Sequence, residues 1–490
     1  MSQEEDQYQP ASPMARLMQT PCFNICILAT LGFRTTIDVD LFKQDVERTL
    51  LKHTRFRSVL MMDSKKRGKY SWKRTSVDLK NHVFAPDLDP NMESPDEFVE
   101  DFMSEISRNP MDLTKPLWEF YILNVKTSKA NSTVILKIHH SMGDGVSLIS
   151  VLMACANKNS QSNLPSKKQI FDVPNNGMVI KRVFMNVWTT FLIIFNTLVG
   201  LLWILATIVY LDDTKTPIKG ERGIEFSPKR FVHRIINFDD IKLVKTAMNA
   251  TVNDVATGVV EAGLGRYLNM RYGQLSNSKS NIAEYVKNTN LLPKKLRLRS
   301  VVCFNLRQSP IIEDLGEIME SEKELKGKWG NIIGVALVPL SVDVQDEPLN
   351  YVRRAKASMD QKKLSLEPKC IYIIQKLLTN LFGIKIAGVL TNAIFWKTTL
   401  FLSNMVGPRE EITLFGHPLS YIAPTISGFP QALVVHFQSY ADKFIISIAA
   451  DEKLITNPHQ LCDDMVKSLQ DFRECVIKRG IGLSKGSGLC

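Results

Sequence analysis

The run Ser132 to Ile138 (STVILKI) reads as a strand that delivers His139-His140-Ser141-Met142-Gly143-Asp144-Gly145 to a turn, after which Val146 to Leu152 resumes an apolar, helix-like pattern. A histidine at a strand end is placed for acid–base work, because an imidazole of pKa ~6.5 can accept a proton near neutrality. Gly143 and Gly145 permit a sharp turn and close approach of a substrate to the backbone. Asp144, four residues beyond His140, could orient an imidazole or hold the turn through an ion pair with a distant arginine. Other readings compete with catalysis. Two histidines satisfied by hydrogen bonds before a turn need no substrate at all. A metal site of His139, His140 and Asp144 is disfavoured, since neighbouring residues on an extended strand point to opposite faces. The same alternation leaves only one of the two histidines facing a reaction. A Ser-His-Asp hydrolase would need a G-x-S-x-G nucleophile elbow, and the turn at 139–145 is not one. No metal is expected.

The elements that must hold this turn follow from the hydropathy pattern. Asp40 to Leu51 and Pro95 to Ile106 have helical spacing, and Trp118 to Val125 is a second β-rich run beside Ser132 to Ile138. Towards the C-terminus, Asp239 to Met248, Val252 to Tyr267 and Pro458 to Arg473 predict helices. Arg299 to Asn305, Ile332 to Val338, Ala432 to Phe437 and Phe444 to Ala449 predict strands. Strands alternating with helices in both halves predict a two-part α/β architecture. At ~150 residues per domain, 490 residues suggest about three domains, with two large ones an equal fit.

Composition excludes several classes. With 44% hydrophobic and 23% charged residues the chain sits at the globular average, which argues against disorder, collagen and a polytopic membrane bundle. A net charge of +11 could serve nucleic acid, an anionic membrane or a phosphorylated substrate. The basic residues are scattered, with short clusters only at Lys65-Lys66-Arg67 and Lys294-Lys295-Leu296-Arg297-Leu298-Arg299, and no zinc-finger, RNP or basic-zipper pattern is present, so no nucleic-acid partner is expected. Eight widely spread cysteines without C-x-x-C or zinc spacing read as reduced core thiols. The acidic, polar first residues lack the basic and apolar regions of a secretory signal, so the bulk of the protein is expected to face the cytosol.

One segment departs from the average. Val183 to Leu211 is uncharged throughout, flanked by Lys181-Arg182 and Asp212-Asp213, and exceeds the ~20 residues a membrane-crossing helix needs. A buried helix or apolar linker is the bland alternative, because Asn186, Asn196 and several threonines dilute the run. Polar stretches bracket it. The expected organisation is residues 1–160, a linker at 161–182, a hydrophobic membrane-associated segment at 183–211, a linker at 212–230 and a C-terminal half at 231–480.

The turn motif also carries a resemblance. His139 to Gly145 is similar to the HHxxxDG active-site motif of the wax ester synthase/diacylglycerol acyltransferase family, and the likeness runs along nearly the whole chain. Ser12-Pro13-Met14-Ala15-Arg16-Leu17 resembles the family's SPxxRL, and Asn109-Pro110-Met111-Asp112 with Pro116-Leu117-Trp118-Glu119 resembles PLDxxxPLWE. Asn253-Asp254-Val255 is similar to its ND motif, and Trp329-Gly330-Asn331 followed by Val338-Pro339 to its WGN…LP stretch. Ser403-Asn404-Met405-Val406-Gly407-Pro408 matches SNxxGP, and Gly428 to Leu433 with Ser439-Tyr440 resembles the C-terminal pattern. Thr54 stands where the family's HPRF carries proline. The apolar segment resembles the plant branch in particular.

The resemblance implies a two-domain α/β fold of the CoA-dependent, chloramphenicol acetyltransferase-like kind. It implies a long-chain acyl-CoA:fatty alcohol O-acyltransferase that also acylates diacylglycerol, with acyl-CoA as co-substrate and no bound cofactor. His140 is then the general base, with His139 supporting it and Gly145 part of the same catalytic turn. Gly143, Asn253, Asn404 and Gly407 are expected to line the substrate site, backbone N–H groups of Gly143 to Gly145 and the Asn253 side chain to be oxyanion donors, and Asp144 to be structural, with Arg307 as its ion-pair partner. Thr251 and Asn253 are also ordinary helix N-cap types, and Lys294, Lys295, Arg297 and Arg299 could meet CoA phosphates or form a solvated charge run. A site built between two halves cannot survive a single bilayer crossing between them, so the apolar segment is expected to be a re-entrant hairpin bent at Gly200, an interfacial helix or a lid on the acyl tunnel. The expected setting is the endoplasmic reticulum membrane, or the plasma membrane, with lipid surface as a partner and the catalytic halves cytosolic. A soluble acyltransferase of specialised metabolites and a non-catalytic lipid-binding protein of the same fold are the alternatives.

Overall fold

Strand Ser132–His139 is buried along its whole length, as a β-branched run covered on both faces should be. In the computed structural model, which describes residues 8–62, 70–157, 179–277, 290–307 and 329–480, it lies inside a seven-stranded sheet. The strands of that sheet follow in the order Val83–Phe84, Trp118–Leu123, Ser132–His139, Cys26–Phe33, His417–Ser427, Thr413–Leu414 and Ala156–Asn157. A six-stranded sheet is ordered Ile333–Leu340, Leu298–Asn305, Leu400–Met405, Leu433–Tyr440, Lys443–Asp451 and Lys229–Asn237, with Leu400–Met405 parallel to both of its neighbours. The basic cluster at 65–67 and most of the stretch at 161–182 lie outside the described residues.

The chain interleaves its halves. His417–Ser427, far along the sequence, pairs antiparallel with Cys26–Phe33, setting Ile422 opposite Leu31 and Ile426 opposite Ile27. The sequence pattern does not flag this strand, because Pro418 and Pro424 interrupt it and proline normally demotes a strand. Aromatic residues Phe42, Trp118, Phe120 and Phe415 fill the core of one half, and Val260, Leu264, Leu433 and Phe472 that of the other. A third cluster, with Leu28, Ile135, Val301, Phe401 and Phe429, is drawn from both sheets and joins them.

The predicted helices form as Val39–Arg48, Pro95–Arg108, Phe238–Ala247, Val252–Asn277 and Pro458–Lys478. Pro95–Arg108 begins with proline and two acidic residues and ends over the buried Lys137, whose Nζ donates to the carbonyls of Ile106 (2.9 Å) and Asn109 (2.7 Å). A cation there satisfies the orphan carbonyls and the negative end of the helix dipole. Leu349–Lys363, Glu367–Leu381 and Gly383–Trp396 are helices that the sequence reading leaves unassigned, the last two forming a hairpin that turns at Phe382.

The apolar segment is one continuous helix, Val179–Val209. Gly200 is therefore no bend. It lies inside the helix where a β-carbon would overlap the Glu367 carboxylate, so glycine serves close packing onto the hairpin. Asn196 Nδ2 donates to the carbonyl of Leu364 (3.0 Å), and Thr197 Oγ1 accepts from Leu366 N (2.8 Å). At the C-terminal end Lys397 Nζ donates to the carbonyls of Ile208 (3.1 Å) and Val209 (3.0 Å). Arg299, a candidate for CoA phosphate, is instead buried against Asp213 (2.6 Å) and donates to the Leu211 carbonyl (2.9 Å). The other side of the helix, with Trp188, Phe191, Leu198 and Leu202, is exposed.

Candidate active site

Strand Ser132–His139 ends against the neighbouring sheet strand, with His139 opposite Cys26, and the chain then makes a single helical turn at His140–Met142. The backbone N–H of His140 donates to the Ile25 carbonyl (2.9 Å), which holds the turn to the same strand pair. The turn sends the two imidazoles different ways. His140 lines an apolar cavity of ≈ 1550 Å³, its mouth included, while His139 points away from it. Met14, Leu17, Ile138, Leu148, Ile371 and Phe395 are among its walls, drawn from both halves of the chain.

Asn331 fixes the His140 ring. Its Nδ2 donates to the His140 carbonyl (2.9 Å), so its Oδ1 faces His140 Nδ1 at 3.0 Å. Nδ1 must then carry the proton, which leaves Nε2 as the basic nitrogen. Burial holds the His140 pKa below 6.5, opposed by its own carbonyl, Asp144 and the Asn331 hydrogen bond. A group kept neutral in this way is a base ready to accept a proton at neutral pH.

His139 is fully enclosed. Its Nδ1 accepts from Ser141 N (3.3 Å) and meets Ser141 Oγ at 2.7 Å, and its Nε2 lies 3.1 Å from Asn24 Oδ1. Burial, with His140 adding to it, lowers its pKa to about 3. These bonds make it a neutral brace under the turn.

Asp144 caps the helix Gly145–Cys155 by accepting from Ser147 N (3.0 Å) and accepts from Ile332 N (2.9 Å). Arg307 meets both carboxylate oxygens, Nη1 to Oδ2 at 2.8 Å and Nη2 to Oδ1 at 3.0 Å, and adds bonds to Ser147 Oγ (2.9 Å) and the Gly330 carbonyl (2.7 Å). Both side chains are buried, so a bidentate pair and its surrounding donors tie the two halves together beside His140. Gly143 sits against Trp329, whose Nε1 donates to the Met142 carbonyl (3.1 Å), and Gly145 lies under the end of the Met405 side chain.

Asn404 lines the cavity and also a second groove, which it shares with Asn253 and Gly407. Asn404 Nδ2 donates to Asn253 Oδ1, and Gly407 N donates to Ser439 Oγ (3.1 Å). Asn253 thus reaches the cavity through Asn404. Thr251 and Asp254 cap the helix reciprocally, Asp254 N to Thr251 Oγ1 at 3.3 Å and Thr251 N to Asp254 Oδ2 at 2.8 Å. Lys242, Lys245 and Arg409 make the groove basic. Among the described residues no group of three or more His, Cys, Asp and Glu could hold a metal ion.

Residues 11–256 match the model of the wax ester synthase/diacylglycerol acyltransferase catalytic domain, and residues 329–473 that of the C-terminal domain. The chain belongs to the wax ester synthase/diacylglycerol acyltransferase family. It is 45% identical over 487 residues to wax ester synthase/diacylglycerol acyltransferase 11 of Arabidopsis thaliana, covering 98% of both chains. It is 41% identical to number 3 of the same plant, covering 98% of this chain and 96% of that one. Among solved structures, the wax ester synthase/diacylglycerol acyltransferase from Marinobacter aquaeolei VT8 superposes with a TM-score of 0.57 at 20% identity, covering 96% of this chain and all of that one. Trichothecene 15-O-acetyltransferase from Fusarium sporotrichioides superposes at 0.55 with 11% identity, covering 95% of each chain. The starter condensation domain of rhizomide synthetase does so at 0.53 with 10% identity, covering 97% and 96%. The expected two-domain α/β acyltransferase fold is therefore the one adopted, and the protein is an acyltransferase.

The sequence motifs locate the turn that carries His140, and several of its partners come from places where no motif points to a role. Asn331 stands in the stretch Trp329-Gly330-Asn331, which resembles the family's WGN. His53 lies against Trp329 with ring centroids 4.2 Å apart. His436, Gln438 and Thr425 line the cavity, and His436 Nδ1, Gln438 Oε1 and Thr425 Oγ1 find no hydrogen-bond partner among the described residues. Only long-range register reveals them, since each sits on a strand that pairs with distant sequence.

Proposed function

We propose that the protein transfers a long-chain acyl group from acyl-CoA to a fatty alcohol, making wax ester, and acylates diacylglycerol as a second activity. The observation that carries this reading is a neutral histidine, with Nδ1 bonded to Asn331 and Nε2 left basic, on the wall of an apolar cavity. The acceptor hydroxyl gives its proton to His140 Nε2 as its oxygen attacks the thioester carbonyl. The new C–O bond forms, the tetrahedral intermediate collapses, the C–S bond breaks, and the CoA thiolate recovers the proton from the imidazolium. No covalent acyl-enzyme and no bound cofactor are needed. A positioned base contributes ~10²–10⁴-fold. Backbone N–H groups of Gly143 to Gly145 are the oxyanion donors of this scheme.

Acyl-CoA and acceptor approach from different places. The basic groove with Lys242, Lys245 and Arg409 suits CoA phosphates; Asn253, Asn404 and Gly407 line it, and Asn404 lines the cavity as well. His139 supports the turn, and Asp144 with Arg307 locks the halves. The catalytic unit comprises the halves 1–160 and 231–480, with 413–427 exchanged into the N-terminal sheet. The helix within 183–211, long and apolar enough to cross a membrane yet packed along one side of the molecule, supports association with the cytosolic face of the endoplasmic reticulum membrane.

Membranes carrying the protein, given labelled palmitoyl-CoA with hexadecanol or with diacylglycerol, should yield wax ester and triacylglycerol on product separation. No ester from either acceptor would favour the non-catalytic lipid-binding protein.

A further inference from the structure

We propose that the helical hairpin Glu367–Trp396 is a second membrane-embedded element, which presents the acyl cavity to the bilayer so that the water-insoluble acceptor enters from the lipid. The proposal rests on the acyl-transfer reading above and names the route by which that reaction is supplied.

The hairpin has two apolar faces. From its inner face Ile371, Tyr372, Gln375, Thr391 and Phe395 line the cavity that His140 also lines. From its outer face Ile373, Ile374, Leu377, Phe382, Ile386 and Val389 are exposed. The wall between cavity and outside is thus one helix thick, and a contiguous exposed apolar patch of this kind marks a surface that another apolar phase covers.

Charge selects the occupant. Residues 367–396 hold a single carboxylate, Glu367, which is buried, bonded to Lys362 Nζ (2.7 Å) and to Leu337 N (3.3 Å). Lys369, Lys376 and Lys385 are exposed on the same hairpin. An outward apolar face fringed by lysines and free of exposed acids matches an anionic lipid surface, where acyl chains take the apolar residues and headgroups the amines. The hairpin also continues an existing apolar surface: it packs beside Val179–Val209, whose own outward side carries Trp188, Phe191 and Leu202.

The test compares two acceptors with palmitoyl-CoA as donor: hexadecanol embedded in phosphatidylcholine/phosphatidylserine vesicles, and butan-1-ol dissolved in water. The double variant Leu377→Asp, Val389→Asp should keep its melting temperature and its butanol activity within about twofold, yet lose at least about tenfold on vesicle hexadecanol, because two outward apolar side chains no longer enter lipid. The charge reversal Lys376→Glu, Lys385→Glu should lose activity on anionic vesicles and keep it on pure phosphatidylcholine. Unchanged vesicle activity in both variants, or an equal fall with both acceptors, would overturn the proposal. So would a wild-type dimer in detergent that the aspartate variant dissociates, since the face would then belong to a second copy. Wild-type protein inactive on both alcohols would overturn the acyl-transfer reading itself.

Discussion

At the scale of single residues, two adjacent histidines divide the labour, one on the cavity wall and one bracing the turn. The strand ending and its glycine-bounded turn were legible from types and spacing alone, and so was the rule that one imidazole faces the reaction. Asn331 was not legible, because it lies 191 residues further along the chain and meets His140 only when the sheets assemble. Its hydrogen bond favours the charged imidazole, and it fixes which nitrogen is basic. Replacing Asn331 by alanine should lower kcat about tenfold or more, the size expected for loss of a buried bond of ~1–3 kcal/mol, while KM changes little. The pH profile gives a second readout. Burial holds His140 below 6.5, so the base stays neutral and kcat/KM should fall only as pH drops below 6.5. In Asn331→Ala the acid limb should move lower still, since a contribution that raised the pKa is gone. A limb that moves upward would mean that Asn331 does not orient the base.

Secondary elements were read best where a single period sufficed. The helix Pro95–Arg108 and the strand Ser132–His139 carry their apolar spacing, caps and propensities in a few contiguous residues. His417–Ser427 does not, because Pro418 and Pro424 are tolerated only through its partnership with Cys26–Phe33. The apolar helix was legible as an apolar run, and its lack of a bend was not: Gly200 could signal a kink or a close approach, and the decision lies with Glu367 from another part of the chain. Gly200→Val should therefore overpack that contact, costing ~1–3 kcal/mol and a measurable drop in melting temperature, without changing turnover of a water-soluble acceptor by more than about twofold. A variant as stable as wild type would place the helix away from the hairpin.

Across the whole molecule, sequence alone divides the chain into halves, and the structure shows what binds them: an exchanged strand, a shared apolar core and the buried pair of Asp144 with Arg307. The pair was legible only through likeness to a family, since nothing local links residues 163 apart. Asp144→Ala leaves Arg307 buried without its partner, a change that costs ~3–5 kcal/mol in comparable sites and should lower the melting temperature by several degrees. Because the pair spans the halves, their apposition and the base turn should loosen together. The most direct test of the central claim separates chemistry from folding: purified His140→Ala protein is given labelled palmitoyl-CoA and hexadecanol, and ester formation and melting temperature are measured beside wild type. His140 acting as the base predicts a melting temperature close to that of wild type and ester formation reduced ~10²–10⁴-fold. Full turnover by His140→Ala would contradict it.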